Sequence, residues 1–88
     1  MTPADKQKLT TAFNNAVNAS PYADETVFGI TTQDGKPVTR RMLVEATLES
    51  PQFFNEVDKV LATGKVTLDQ IIDKFEQGMK KSSLGPRP

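Results

Sequence analysis

Asp69, Asp73 and Glu76 recur at i, i+4 and i+7 near the end of the chain. On a helix this spacing lines the carboxylates along one stripe, away from Leu68, Ile72 and Phe75. Paired carboxylates can hold a hard cation or do acid–base work, but both tasks need other groups converging on the same point. Solvation of the outer face of an amphipathic helix is the ordinary meaning of such a stripe, and any binding role favours a basic partner over metal. A calcium loop fails outright. With Gly64 at the sixth loop position the ligand positions fall on Lys59, Leu61, Thr63 and Gln70; with Gly35 there they fall on Ile30, Thr32, Asp34 and Arg41.

Arg40 and Arg41 are the second group with chemical potential. They stand in the first turn of an expected helix, where the macrodipole is positive and acidic residues are favoured. Either Asp34, Glu25 or Glu45 neutralises them locally, or they form a surface for an acidic ligand, a phosphate or a partner protein. Phe53-Phe54 is the third. Neighbours on a helix point about 100° apart, so both rings are buried only where the helix packs on two sides. Otherwise one of the two, with Phe54 as the candidate, is exposed and makes an apolar contact patch with Tyr22 or Phe28 for a partner or a second copy.

Much other chemistry is ruled out by composition. The chain has no Cys and no His, which removes disulfides, thiolate or imidazole metal sites and the usual nucleophilic triads. The five glycines are scattered, without a phosphate-binding loop. Eleven basic residues balance eleven acidic ones, unlike a protein that coats DNA. No run approaches the length of a membrane span, and MTPADKQKL lacks the apolar core of a secretory signal. A helix-turn-helix fits poorly. The connection at Ser50-Pro51 is too short, and the would-be reading helix offers Phe53, Phe54, Glu56 and Asp58 with Lys59 as its sole cation. Residues 45–78 hold three Lys against seven acidic residues, a local charge of −4, which adds to the mismatch.

The elements that must position these groups are well marked. Thr2 and Pro3 open a helix over about 3–17, with Leu9, Ala12, Phe13, Ala16 and Val17 as its stripe. Thr26 to Thr32 reads as a short strand, Asp34-Gly35 as a turn, and Lys36-Pro37-Val38 as a brief return strand. Thr39 caps a second helix over 39–49, with Met42, Leu43 and Ala46 on its apolar side, flanked by Val44 and Leu48. Ser50-Pro51 starts a third over 51–62, stopped by Gly64. Thr67 and Gln70 form a capping box for a fourth over 68–79. Gly35-Lys36-Pro37-Val38-Thr39 echoes Gly64-Lys65-Val66-Thr67, as ordinary punctuation before two helices.

These readings predict a mostly α domain over 1–79: a small bundle of about four helices with a β-hairpin-like insertion between the first two, and a disordered polar tail over 80–88. The expected core is Leu9, Phe13, Val17, Phe28, Leu43, Phe53, Val57, Leu61, Ile71, Ile72 and Phe75. The expected function is that of a small cytoplasmic, non-catalytic interaction or regulatory module, with no cofactor, metal or membrane. It docks a partner protein or a second copy through helix surfaces at Arg40, Arg41, Phe54, Asp69, Asp73 and Glu76. The alternative is a minor nucleic-acid-binding module using Arg40, Arg41 and the basic tail (Lys80, Lys81, Arg87).

Overall fold

A computed structural model describes residues 1–81 of the chain. The elements run α1 (Pro3–Ala19), β1 (Thr26–Thr31), β2 (Pro37–Thr39), α2 (Arg40–Glu49), α3 (Pro51–Ala62) and α4 (Leu68–Met79). The mostly helical architecture, with a hairpin between the first two helices, is as the sequence predicts. Among the described residues no helix is long and apolar enough to cross a membrane. The polar tail expected over 80–88 lies outside the described residues from position 82 onward; Lys80 is the C-cap of α4.

Helix ends are set by local chemistry. Thr2 Oγ1 accepts from the Asp5 N–H at 3.1 Å, with Pro3 at the first helical position. Thr39 Oγ1 accepts from the Met42 N–H at 3.2 Å. Thr67 Oγ1 accepts from the Gln70 N–H at 3.2 Å, while Gln70 Oε1 accepts from the Thr67 N–H at 2.9 Å. Such caps satisfy N–H groups that the helix leaves without partners, each contributing about 1 kcal/mol. Gly64, at φ +73°, supplies the left-handed residue after α3.

The helix stripes then meet. α1 packs on α4 and α2, and α2 on α3. Leu9 (0% exposed), Phe13, Phe54, Val57 and Ile72 form the main core, with Phe53, Leu61, Ile71 and Phe75 packed against it. Phe13 lies between the rings of Phe75, stacked at 3.9 Å, and Phe53, tilted at 5.9 Å. A second cluster of Val17, Ala23 and Met79 closes the far end of α1 and α4. On α2 the core-facing residues are Val44 and Leu48, so the helix is turned from the Met42-Leu43-Ala46 side that the sequence favoured. Apolar residues surround α2 on nearly every side, so their spacing selects no face.

The hairpin departs furthest from expectation. Its tip is regular: Gly35 N–H donates to Thr32 O at 3.0 Å and Thr32 N–H to Lys36 O at 2.8 Å, with Gly35 at φ +84°. This is a three-residue loop with glycine in the left-handed position. The strands are not regular. Thr26 pairs with Thr39 and Thr31 with Pro37, so Val38 alone stands opposite the four residues 27–30. β1 therefore bows outward, with Gly29 at φ +81°. Val38 is buried and anchors the ribbon, whereas Phe28, expected in the core, is fully exposed at 102%. The ribbon leans on the bundle through β2, and the bow carries the Phe28 ring away from it.

Two outcomes follow. Leu9→Ala, at the most enclosed position of the core, lowers unfolding free energy by about 2–5 kcal/mol in urea denaturation. At the hairpin tip, hydrogen bonds from the Thr32 hydroxyl and then the backbone hold the Asp34 carboxyl below its ordinary value. A carboxylate whose folded value is depressed contributes stability above its unfolded value, and loses it as pH falls through the folded one. The Asp34 carboxyl resonance therefore titrates below that of the urea-unfolded chain, and Thr32→Val moves its midpoint upward.

Candidate functional site

Arg40 and Arg41 sit at the N-terminus of α2, whose first turn contains no acidic residue. Their side chains do not stay there. Arg40 Nη2 donates to the Gly78 carbonyl at 2.9 Å and Nη1 to the Lys81 carbonyl at 2.7 Å, at the C-terminal end of α4. Glu25 Oε1 lies 3.6 Å from the same Nη1. Helix α4 has no basic residue in its last turn, so Arg40 brings the cation that the negative end of that dipole attracts. A residue unfavourable for its own helix is favourable for another.

Arg41 is bound on the other side. Its Nε is 3.0 Å from Asp24 Oδ1, and its Nη1 donates to Asn18 Oδ1 at 2.9 Å. The backbone joins in: Arg40 N–H donates to Glu25 O at 2.9 Å and Arg41 N–H to Ala23 O at 2.8 Å. Ser20, the C-cap of α1, donates its hydroxyl to the Met79 carbonyl. The pair thus joins the end of α1, the turn after it, the start of α2 and the end of α4. Of the neutralising partners considered from sequence, Glu25 is the one found; Asp24, Asn18 and the α4 carbonyls are additional.

The three α4 carboxylates have separate destinations. Asp69 pairs with Lys8 of α1 at 2.6 Å, Asp73 accepts from Gln77 Nε2 at 2.8 Å, and Glu76 borders a shallow recess with Ala12, Ala16, Ser20 and Lys80. The Lys8–Asp69 pair is well exposed and contributes little stability. Among the described residues, no group of three or more acidic side chains is placed to hold a metal ion.

Phe54, expected at a contact surface, belongs instead to the core at 8% exposure, with Lys6 Nζ 4.9 Å from its ring centroid. Phe54 is buried and Phe53 partly buried, with Phe13 and Lys6 of α1 against the two rings. The exposed aromatic is Phe28, joined on the same bow by Ile30 at 41% exposure. The strand composition of Thr-Val-Phe-Gly-Ile-Thr predicts this ring inside. The available warning was Gly29, since a glycine inside a strand marks a bulge. The basic tail is divided: Lys80 and Lys81 lie beside the Arg40 junction, and Arg87 falls outside the described residues.

The role of Arg40 makes a measurable difference. Hydrogen bonds from a charged donor are worth about 1.5–3 kcal/mol, and Arg40→Ala loses that order of stability. Amide exchange accelerates in the last turn of α4 and around Ala23–Glu25. Arg40→Lys recovers part of the loss, because an ammonium lacks the planar fork that spans two carbonyls. Unchanged denaturation and exchange in Arg40→Ala would remove the junction from the account.

Comparison with known proteins adds no relative: no family model, no curated protein and no solved structure matches the chain.

Proposed function

We propose that the chain is a small cytoplasmic, non-catalytic interaction module that docks a partner protein, and that the docking element is the bowed hairpin rather than the helix faces. The observation that carries this reading is Phe28, a whole aromatic side chain presented to water on a segment that contributes nothing to the core. Leaving an aromatic ring in water forgoes roughly 1.5–3 kcal/mol of burial. Its value on an exposed arm lies in what it meets on another molecule, where aromatic rings dominate binding energy. Ile30 lies near it on the bow, and the buried Val38 anchors the ribbon to the bundle.

The helix surfaces have less to offer. Arg40 already has partners in α4 and at Glu25, and Arg41 at Asp24 and Asn18. The nucleic-acid alternative loses support for the same reason, since it relied on those two guanidinium groups being available to phosphates.

Immobilised full chain, compared with Phe28→Asp and Glu76→Lys, tests the reading against native cell extract. A species retained by the wild type and by Glu76→Lys but lost with Phe28→Asp, at an unchanged melting temperature, is the expected result. Retention that depends on Glu76 and not on Phe28 would return docking to the helix face and defeat the hairpin proposal.

A further inference from the structure

The hairpin tip carries a linkage that occurs once in the chain: Asp34-Gly35 is the only place where an Asp or Asn precedes a glycine. An aspartyl residue before glycine can react with its own backbone, because a residue without a Cβ leaves its nitrogen unhindered. In that reaction the Gly35 amide nitrogen bonds to Asp34 Cγ. The amide proton and the carboxyl hydroxyl leave together as water, and a five-membered succinimide remains. Water then reopens the ring. Cleavage between the nitrogen and Cγ restores aspartate. Cleavage between the nitrogen and the Asp34 backbone carbonyl carbon leaves the chain running through Cγ, as isoaspartate. Water is the sole co-reactant.

The closed tip restrains both reacting groups. The Gly35 N–H donates to the Thr32 carbonyl at 3.0 Å, which fixes the nitrogen within the turn. The Asp34 carboxylate is engaged at both oxygens: the Thr32 hydroxyl donates to Oδ1, and Lys36 Nζ stands 3.7 Å from Oδ2. Hydrogen bonding of this kind favours the ionised carboxylate, whereas ring closure needs the protonated form, whose hydroxyl can leave. The Thr32 hydroxyl also accepts from the Lys36 N–H at 3.0 Å, which leaves its own hydrogen free for Oδ1. Thr32 therefore holds the nucleophile with its carbonyl and the electrophile with its hydroxyl.

We infer that Asp34-Gly35 is a site of spontaneous isoaspartate formation, and that Thr32 holds the reaction back while the hairpin tip is closed. This chemistry stands whether or not the hairpin docks a partner. Its restraint is only as good as the tip itself. The Asp34 and Lys36 side chains are well exposed, and a Cβ built at Gly35 meets nothing within 4 Å, so the described residues place no cover over the glycine. Each local opening frees the Gly35 nitrogen and the Asp34 carboxyl together. Isomerisation adds a methylene to the backbone at the tip. The three-residue loop is lengthened, and the Gly35 N–H moves off the Thr32 carbonyl.

Prolonged incubation of the full chain in neutral buffer, with and without urea, reads the reaction. Isoaspartate is counted in the tryptic peptide 9–40 as a species of unchanged mass that resists an Asp-specific endoproteinase at residue 34. The folded chain isomerises roughly tenfold or more slowly than the urea-unfolded chain, in proportion to how rarely the tip opens. Thr32→Val, which loses two hydrogen bonds of ordinary net worth, speeds the folded reaction by roughly five- to tenfold. Thr32→Ser keeps the hydroxyl and stays near the wild-type rate, and helical circular dichroism is unchanged in both variants. Equal rates with and without urea overturn the protection. Thr32→Ser as fast as Thr32→Val, or Thr32→Val as slow as the wild type, overturns the role of the Thr32 hydroxyl. An unfolded chain that forms no isoaspartate at residue 34 overturns the site itself.

Discussion

The guanidinium of Arg40 holds the end of α4 to the start of α2, and the end of α1 and the base of the hairpin meet at the same junction. Its two donors reach carbonyls at Gly78 and Lys81, about forty residues along the chain. A chain this short buries a small core, so a polar contact that closes the ends of the bundle carries unusual weight. The side chain is 16% exposed, and its stem packs down while both carbonyl hydrogen bonds lie at the surface of the fold. Beneath it lie Val17, Ala23 and Met79, the second apolar cluster. Charge and packing therefore act at the same place.

That junction also explains why the hairpin can be loosely built. Its base is fixed twice, by Val38 in the core and by the Arg40 and Arg41 N–H groups on the Glu25 and Ala23 carbonyls. With its base fixed, β1 need not contribute to the core, and its middle is free to bow. Phe28 and Ile30 thereby become surface residues, and a segment of strand composition becomes an arm available for contact. The stability of the bundle and the exposure of the arm come from the same anchoring.

Helix ends were legible in the sequence because each is a local matter. Thr2, Thr39 and the Thr67–Gln70 pair cap through bonds spanning three residues, and Gly64 stops α3 by its own dihedral angle. Leu9, Phe13, Val17, Val57 and Ile72 were legible too, because a stripe at helical spacing has only one side to bury. The face of α2 was not, since apolar residues surround it, nor was the irregular register of β1 against β2. Among the functional candidates, the surplus of cations at Arg40-Arg41 was visible, while their partners in α4 and beside α1 were not.

Sequence by itself determined where the helices begin and end, which stripes are apolar, and that a turn falls at Asp34-Gly35. These depend on interactions a few residues long. Tertiary structure decided that Arg40 serves another helix's dipole, that Phe54 is enclosed and that Phe28 is not. Each of these depends on which distant surface arrives opposite a side chain, and residue type and spacing do not specify that arrival.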